Sequence, residues 1–196
     1  MSVPTTMFRL TGRDYPPAKL SHASLIIIDA QKEYLSGPLA LSGMDEAVAN
    51  IARLLDAARK SGRPIIHVRH LGTVGGRFDP QGPAGQFIPG LEPLEGEIVI
   101  EKRMPNAFKN TQLHETLQAL GHLDLIVCGF MSHSSVSTTV RRAKDYGYRC
   151  TLVEDASATR DLAFKDGVIP AAQIHQCEMA VMADNFACVA PTASLI

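Results

Sequence analysis

The sequence predicts an α/β fold: a three-layer α/β/α sandwich around a six-stranded, mostly parallel, doubly wound sheet. Three observations carry this. Short apolar runs alternate with longer segments of helical period along the chain, which is the signature of βαβ units. Two of those runs, Leu25–Ile28 and Leu125–Cys128, are apolar without alternation, as strands covered on both faces are. The chain has 196 residues, enough for one domain with one sizeable core, and we read residues 1–196 as that single domain.

The elements follow in order. Ser24–Asp29 is a strand that ends in a carboxylate. Asp45–Lys60 has apolar residues at helical spacing, with Asp45 and Glu46 at the end where the helix dipole favours acids. Ser61-Gly62 stops it, and Pro64–Arg69 is the second strand. Leu71 to Gly96 is rich in Gly and Pro and too long for a plain connector, so it reads as a functional lid or mobile segment. Glu97–Glu101 is the third strand, followed at once by Lys102. Thr111–Leu120 is a helix with Thr111 or Asn110 as cap, and Asp124–Cys128 is the fourth strand. Ser134–Tyr146 is a helix, Arg149–Val153 a strand, Pro170–Met182 a helix and Phe186–Val189 the sixth strand. The expected strand order is 3-2-1-4-5-6. Ligands in such sheets sit beyond the carboxyl ends of the strands, where the winding reverses. That rule selects Asp29 and the loop Gly129–Ser135.

Composition excludes several classes. The net charge is −1 and 45% of residues are hydrophobic. No basic stripe suits nucleic acid. The longest early apolar run is far short of the roughly 20 residues of a membrane helix. Met1 to Pro17 lacks the apolar centre of a signal peptide, so a cytoplasmic location is expected. Cys128, Cys150, Cys177 and Cys188 form no C-x-x-C pair and read as buried free thiols.

Alone, Asp29 reads equally as a turn aspartate, Lys102 as a solvated lysine, and Gly129–Thr139 as a serine-rich cap. Together they resemble the isochorismatase-like, or cysteine hydrolase, family. The resemblance rests on LIIIDAQ at Leu25–Gln31, VIEKRMPNAF at Val99–Phe108, VCGFMSHSSVSTTVRRA at Val127–Ala143 and GYRCTLVEDASATRD at Gly147–Asp161. It implies an Asp–Lys–Cys triad in which Asp29 and Lys102 match the first two members. The cysteine of the family pattern G-x-x-S/T-x-x-C-V-x-x-T falls on Ser135. The resemblance also implies that the Met131 and Ser135 amides hold an oxyanion and that the Phe130–Met131 peptide is cis.

A cysteine at position 135 would sit at a helix start beside a lysine, both of which favour a thiolate, with Asp29 as proton carrier. A serine is a poor replacement, because its hydroxyl is a far weaker acid and no histidine activates it. Two explanations stay open: a Cys→Ser replacement that stops turnover, or a natural sequence whose chemistry needs no nucleophile. Retention of the surrounding motif favours the first. Members with the full triad look like amidases of small amides, carbamoyl and ureido compounds. A true isochorismatase, with protonated Asp29 as general acid on a vinyl ether, is the alternative, and a non-catalytic binding module is another.

The nicotinamidase branch carries a metal at an Asp-x-His motif with a further His. Here only His67 and His70 are candidates, on opposite strand faces, so no metal and no other cofactor is expected. Arg69, Phe87, Phe108 and His133 are candidate pocket walls, with Phe87 and Phe108 reading equally as core. Asp155 and Asp161 read as structural or capping. The expected partners are a small-molecule substrate and, by resemblance, further copies of the chain in a dimer or tetramer, with neither nucleic acid nor membrane.

Overall fold

The computed structural model describes residues 4–196. Residues 1–3, part of the stretch read above as lacking a leader's apolar centre, lie outside the described residues. The sheet has six parallel strands: β1 (Ser24–Ile28), β2 (Ile65–His70), β3 (Ile98–Lys102), β4 (Asp124–Phe130), β5 (Arg149–Ala158) and, last, β8 (Cys188–Ala190). Their order is β3-β2-β1-β4-β5-β8, so the sixth strand of the sheet occupies the expected edge.

The unalternating strands sort their side chains between two cores. Leu25 and Ile27 of β1 join one cluster with Ile51, Leu54 and Leu55 of helix α2 (Met44–Lys60). Ile26 and Ile28 join the other, with Leu113 and Leu117 of α3 (Leu113–Leu120), Val140 of α4 (Ser137–Asp145) and Met182 of α5 (Ala171–Asn185). The period of two in a strand is intact; both faces are covered, so both sets are apolar. Among the described residues no helix is long and apolar enough to cross a membrane.

Several boundaries depart from expectation. β4 and β5 run on past the apolar stretch, to Phe130 and Ala158, because small residues (Gly129, Ser157, Ala158) keep the strands paired across a register shift. A hairpin of β6 (Leu162–Phe164) and β7 (Gly167–Ile169) was not expected; its residues are mostly exposed and give no core signal. The segment before α4 is a π turn, Ser132–Val136, not part of a regular helix. Helix α3 begins at Leu113; Thr111 serves it by accepting the Leu113 amide at 3.3 Å. Asp161 accepts the Ala171 amide at the start of α5, and Asp155 accepts the amide and hydroxyl of Thr192, as structural and capping roles require. The cysteines need one correction: Cys128 and Cys150 are buried, but Cys188 is half-buried and Cys177 is exposed, on the outward face of α5.

Below β2 and β3 lies a knot of charge. Glu97 accepts from Arg59 Nε at 2.7 Å, from His67 Nε2 at 2.8 Å and from the Leu94 amide at 2.9 Å. Burial alone would raise the Glu97 carboxyl, but these donors outweigh it and hold it at about 2. The unfolded chain therefore binds more protons in the interval between about 2 and the ordinary 4.5. The stabilisation is complete above that ordinary value and is lost as pH falls through the folded one. Glu97→Gln is expected to flatten the fall of the urea midpoint from pH 5 to pH 3, after the slope of the parent is subtracted. Parallel curves for the two proteins would remove Glu97 from the acid response.

Candidate active site

Asp29, Lys102 and Ser135 come from three places in the chain and meet at the carboxyl end of the sheet. Asp29 follows β1, Lys102 is the last residue of β3, and Ser135 lies in the π turn after β4. All three are buried, at 1%, 2% and 6% exposure, which removes the reading of Lys102 as a solvated lysine. Lys102 Nζ donates to Asp29 Oδ2 at 2.7 Å and to Ser135 Oγ at 3.2 Å. Burial pushes the Asp29 carboxyl above the ordinary carboxylate range, while the Lys102 charge and the Lys102 and Ser135 side chains pull against it. Among the described residues Asp29 Oδ1 has no hydrogen-bond partner.

The backbone is bent to make this meeting. Asp29 has φ 50°, a left-handed conformation that aspartate tolerates and that concentrates at functional sites. Its amide donates to Val68 and its carbonyl accepts from Gln31, so both neighbours fix it. Gly129 has φ 115° and lies against the Ile28 backbone. The Phe130–Met131 peptide is cis. The Met131 carbonyl then accepts from the amides of both Ser134 and Val136, which tightens the turn that presents Ser135.

Cys128 is no substitute for a nucleophile at position 135. It sits fully buried inside β4, and burial pushes its thiol far above the ordinary range.

The other predicted residues are placed variously. Arg69 fastens the long loop to β2: it donates to the carbonyls of Gly85 and Pro80 and lies over the Phe87 ring. Phe87 meets His67 edge-on and is half-buried there. Phe108 is core, packed on Tyr146 and Tyr148. His133 bonds to Thr159 and braces the π turn from its far side. His67 is sealed in the knot with Glu97, while His70 points the other way, to Lys102 Nζ at 3.3 Å. No group of three potential metal ligands forms among the described residues.

The walls nearest the charged group were not foreseen. Tyr34 packs edge-on against Phe78 and Phe130, and Phe78 packs on His70 at 5.0 Å. Phe78 comes from the long loop and is held by its amide, which donates to buried Glu33. No periodicity marks such a residue in an irregular segment. His70 was weighed in the sequence only as a metal ligand; the signal that could have placed it is the pairing of the ends of β2 and β3, whose register sets His70 beside Lys102. A cleft of about 470 Å³ opens behind the turn, between α2, β5 and α5; its wall residues His175 and Thr159 bond to Ser132 and His133, but Asp29, Lys102 and Ser135 do not line it.

Comparison with known proteins agrees with the fold and the family. The profile of the isochorismatase domain matches residues 23–194. The crystal structure of an isochorismatase from Pseudomonas putida is similar with a TM-score of 0.98 and 98% identity, covering 99% of this chain and all of that one. An uncharacterised isochorismatase family protein of Bacillus subtilis is 39% identical over 88% of this chain and 98% of its own. Two more distant relatives are named for what they hydrolyse. Streptothricin hydrolase of Streptomyces noursei is 32% identical over 76% of this chain and 60% of its own length. Ureidoacrylate amidohydrolase of Variovorax paradoxus is 27% identical over 70% and 69%.

Proposed function

This chain belongs to the isochorismatase family of hydrolases, and from that premise we propose that its site is built to cleave a C–N bond in a small amide, carbamoyl or ureido compound. The observation that carries the reading is the Lys102 ammonium bridging Asp29 and the side-chain atom of residue 135. A vinyl-ether hydrolase can keep the Asp–Lys pair, but the contact from Lys102 to the side-chain atom of residue 135 is what a nucleophile at that position requires. The names of the streptothricin and ureidoacrylate relatives support the same class of bond.

With sulfur at position 135, Lys102 favours the thiolate and Asp29 Oδ1, which has no partner among the described residues, takes the proton. The thiolate adds to the carbonyl carbon, and the Met131 and Ser135 amides receive the oxyanion. Asp29 passes its proton to the leaving nitrogen as the C–N bond breaks. Water then attacks the thioester, with Asp29 as base, and releases the acid. Ser135 supplies the same position with a much weaker acid, and among the described residues no imidazole is bonded to it: His70 faces Lys102 and His133 bonds to Thr159. The chain as it stands is therefore slow or inert towards amides.

One observation favours a second reading: the Pseudomonas protein is named an isochorismatase. There Asp29, raised by burial, would protonate a vinyl ether and residue 135 would be a bystander. Ammonia release from a panel of small amides and ureides separates the two, alongside pyruvate release from isochorismate. We expect Ser135→Cys to hydrolyse at least one amide or ureide more than about 100-fold faster than the parent chain. Isochorismate cleavage by the parent, unchanged in Ser135→Cys, would transfer the assignment to the second reading.

A further inference from the structure

An ammonium has three N–H bonds, and the structure offers Lys102 three acceptors. Two are Asp29 Oδ2 and Ser135 Oγ; the third is His70 Nδ1, at 3.3 Å. His70 is no loose neighbour. Its amide donates to Gln31 Oε1 at 2.8 Å, its carbonyl accepts from Gln31 Nε2 at 2.9 Å, and its ring is flanked by Phe78. Gln31 is itself fully buried and tied to Gly85 of the long loop. The imidazole is thus set by its backbone and by the loop to face the lysine.

For Nδ1 to accept from Lys102, the ring must carry its proton on Nε2. Burial, with the charges of Lys102 and Arg103, brings the His70 pKa to about 4, so the ring is neutral around pH 7.

We propose that His70 is a positioning residue: by accepting the third proton of the Lys102 ammonium, it keeps that group charged and directs its other two N–H bonds at Asp29 and residue 135. The proposal rests on the reading of residue 135 as the nucleophile position. Its physical basis is the cost of an unpaired donor. A buried N–H left without an acceptor is destabilised, and more so when it carries charge. With His70 gone, the ammonium turns away in search of a third partner or gives up its proton. Either change weakens the positive field at position 135, and a thiol there ionises less readily. The bond is long, so its effect is through direction more than through strength.

The test needs no substrate. The thiolate absorbance of Ser135→Cys is titrated against pH, with the parent chain as baseline, and repeated with His70→Leu or His70→Asn added. Leucine keeps the bulk and removes the acceptor; asparagine keeps an acceptor oxygen near the place of Nδ1. Asp29, Lys102, Tyr34, His133 and His175, the other ionisable groups in or beside the turn and the ammonium, are common to all three proteins. Ser135→Cys alone should ionise well below the ordinary cysteine value of about 8.5. His70→Leu should raise that midpoint by about one pH unit, a tenfold change in the ionisation constant, and His70→Asn should return at least half of it. An unmoved midpoint in His70→Leu, or an equal rise in His70→Asn, overturns the proposal. An ordinary midpoint in Ser135→Cys itself instead sinks the nucleophile reading beneath it, and the role of His70 with it.

Discussion

Asp29→Asn, placed in the Ser135→Cys protein, reduces amide hydrolysis by about 10³-fold or more while the fold persists. Asparagine has the size of aspartate and still offers an oxygen to Lys102, which donates to Asp29 at 2.7 Å in the parent. What it cannot do is accept the proton of the nucleophile and hand it to the leaving nitrogen. A general acid–base group contributes about 10² to 10⁴ in rate, and in the proposed reaction one group serves both halves. The change also leaves the buried Lys102 ammonium facing a neutral group, and an unbalanced buried charge costs about 3–5 kcal/mol when its partner is removed outright. Some loss of melting temperature therefore accompanies the loss of rate. The two effects are separable: kcat is measured well below the melting point, and circular dichroism reports the folded fraction. A variant that keeps more than a tenth of the Ser135→Cys rate would remove Asp29 from the proton path. Lys102→Met tests the other half of the pair. It too should abolish the rate, with the loss tracking a raised thiol midpoint instead of a blocked proton transfer.

How far the sequence could be read follows from where each signal comes from. β1 and β4 are apolar runs bounded by polar residues, so burial alone marks them, and the reversal of winding between them marks where a ligand binds. Asp29 and the Gly129–Ser135 loop were legible for that reason. Lys102 needed the family pattern, because a lysine after a strand says nothing about what its side chain reaches. Its burial depends on Asp29, 73 residues away in the chain. The pocket walls were the least legible. Phe108 and Phe78 are both aromatic residues in irregular segments, yet one fills the core between Tyr146 and Tyr148 and the other roofs His70. The difference lies in backbone hydrogen bonds that no spacing encodes: Glu33 holds the Phe78 amide, and Asn106 holds that of Phe108. The hairpin of β6 and β7 escaped because exposed three-residue strands bury too little to leave a pattern.

Gly129→Ala is expected to be among the most damaging single methyls in the protein, and it joins the stability of the fold to the geometry of the site. Gly129 pairs with Ile28 across the two central strands. A Cβ at that point would lie 2.1 Å from the Ile28 carbonyl oxygen and 2.6 Å from its nitrogen. Both are backbone atoms, so no side chain can swing aside; β4 itself must withdraw from β1. The residue also has φ 115°, where a side chain is strained whatever the space. Strain of about 1–3 kcal/mol adds to overpacking of about 1–3 kcal/mol, so a loss of about 3 kcal/mol or more is expected. For a chain of this length that is a fall in Tm of about 6–12 °C. The activity of the Ser135→Cys protein should fall further than its stability does. Ile28 leads directly into Asp29, and Gly129 leads into the turn that carries residue 135, so parting the strands parts the two groups proposed to react. Gly121→Ala is the control. Gly121 also has a left-handed φ, 70°, but nothing lies within 4 Å of the added Cβ, and its cost should stay near 1 kcal/mol with activity intact. Urea titrations and turnover of the two variants in the Ser135→Cys background decide the matter. Equal losses in both would mean that the close approach of β4 to β1 is not what holds Asp29 and residue 135 together.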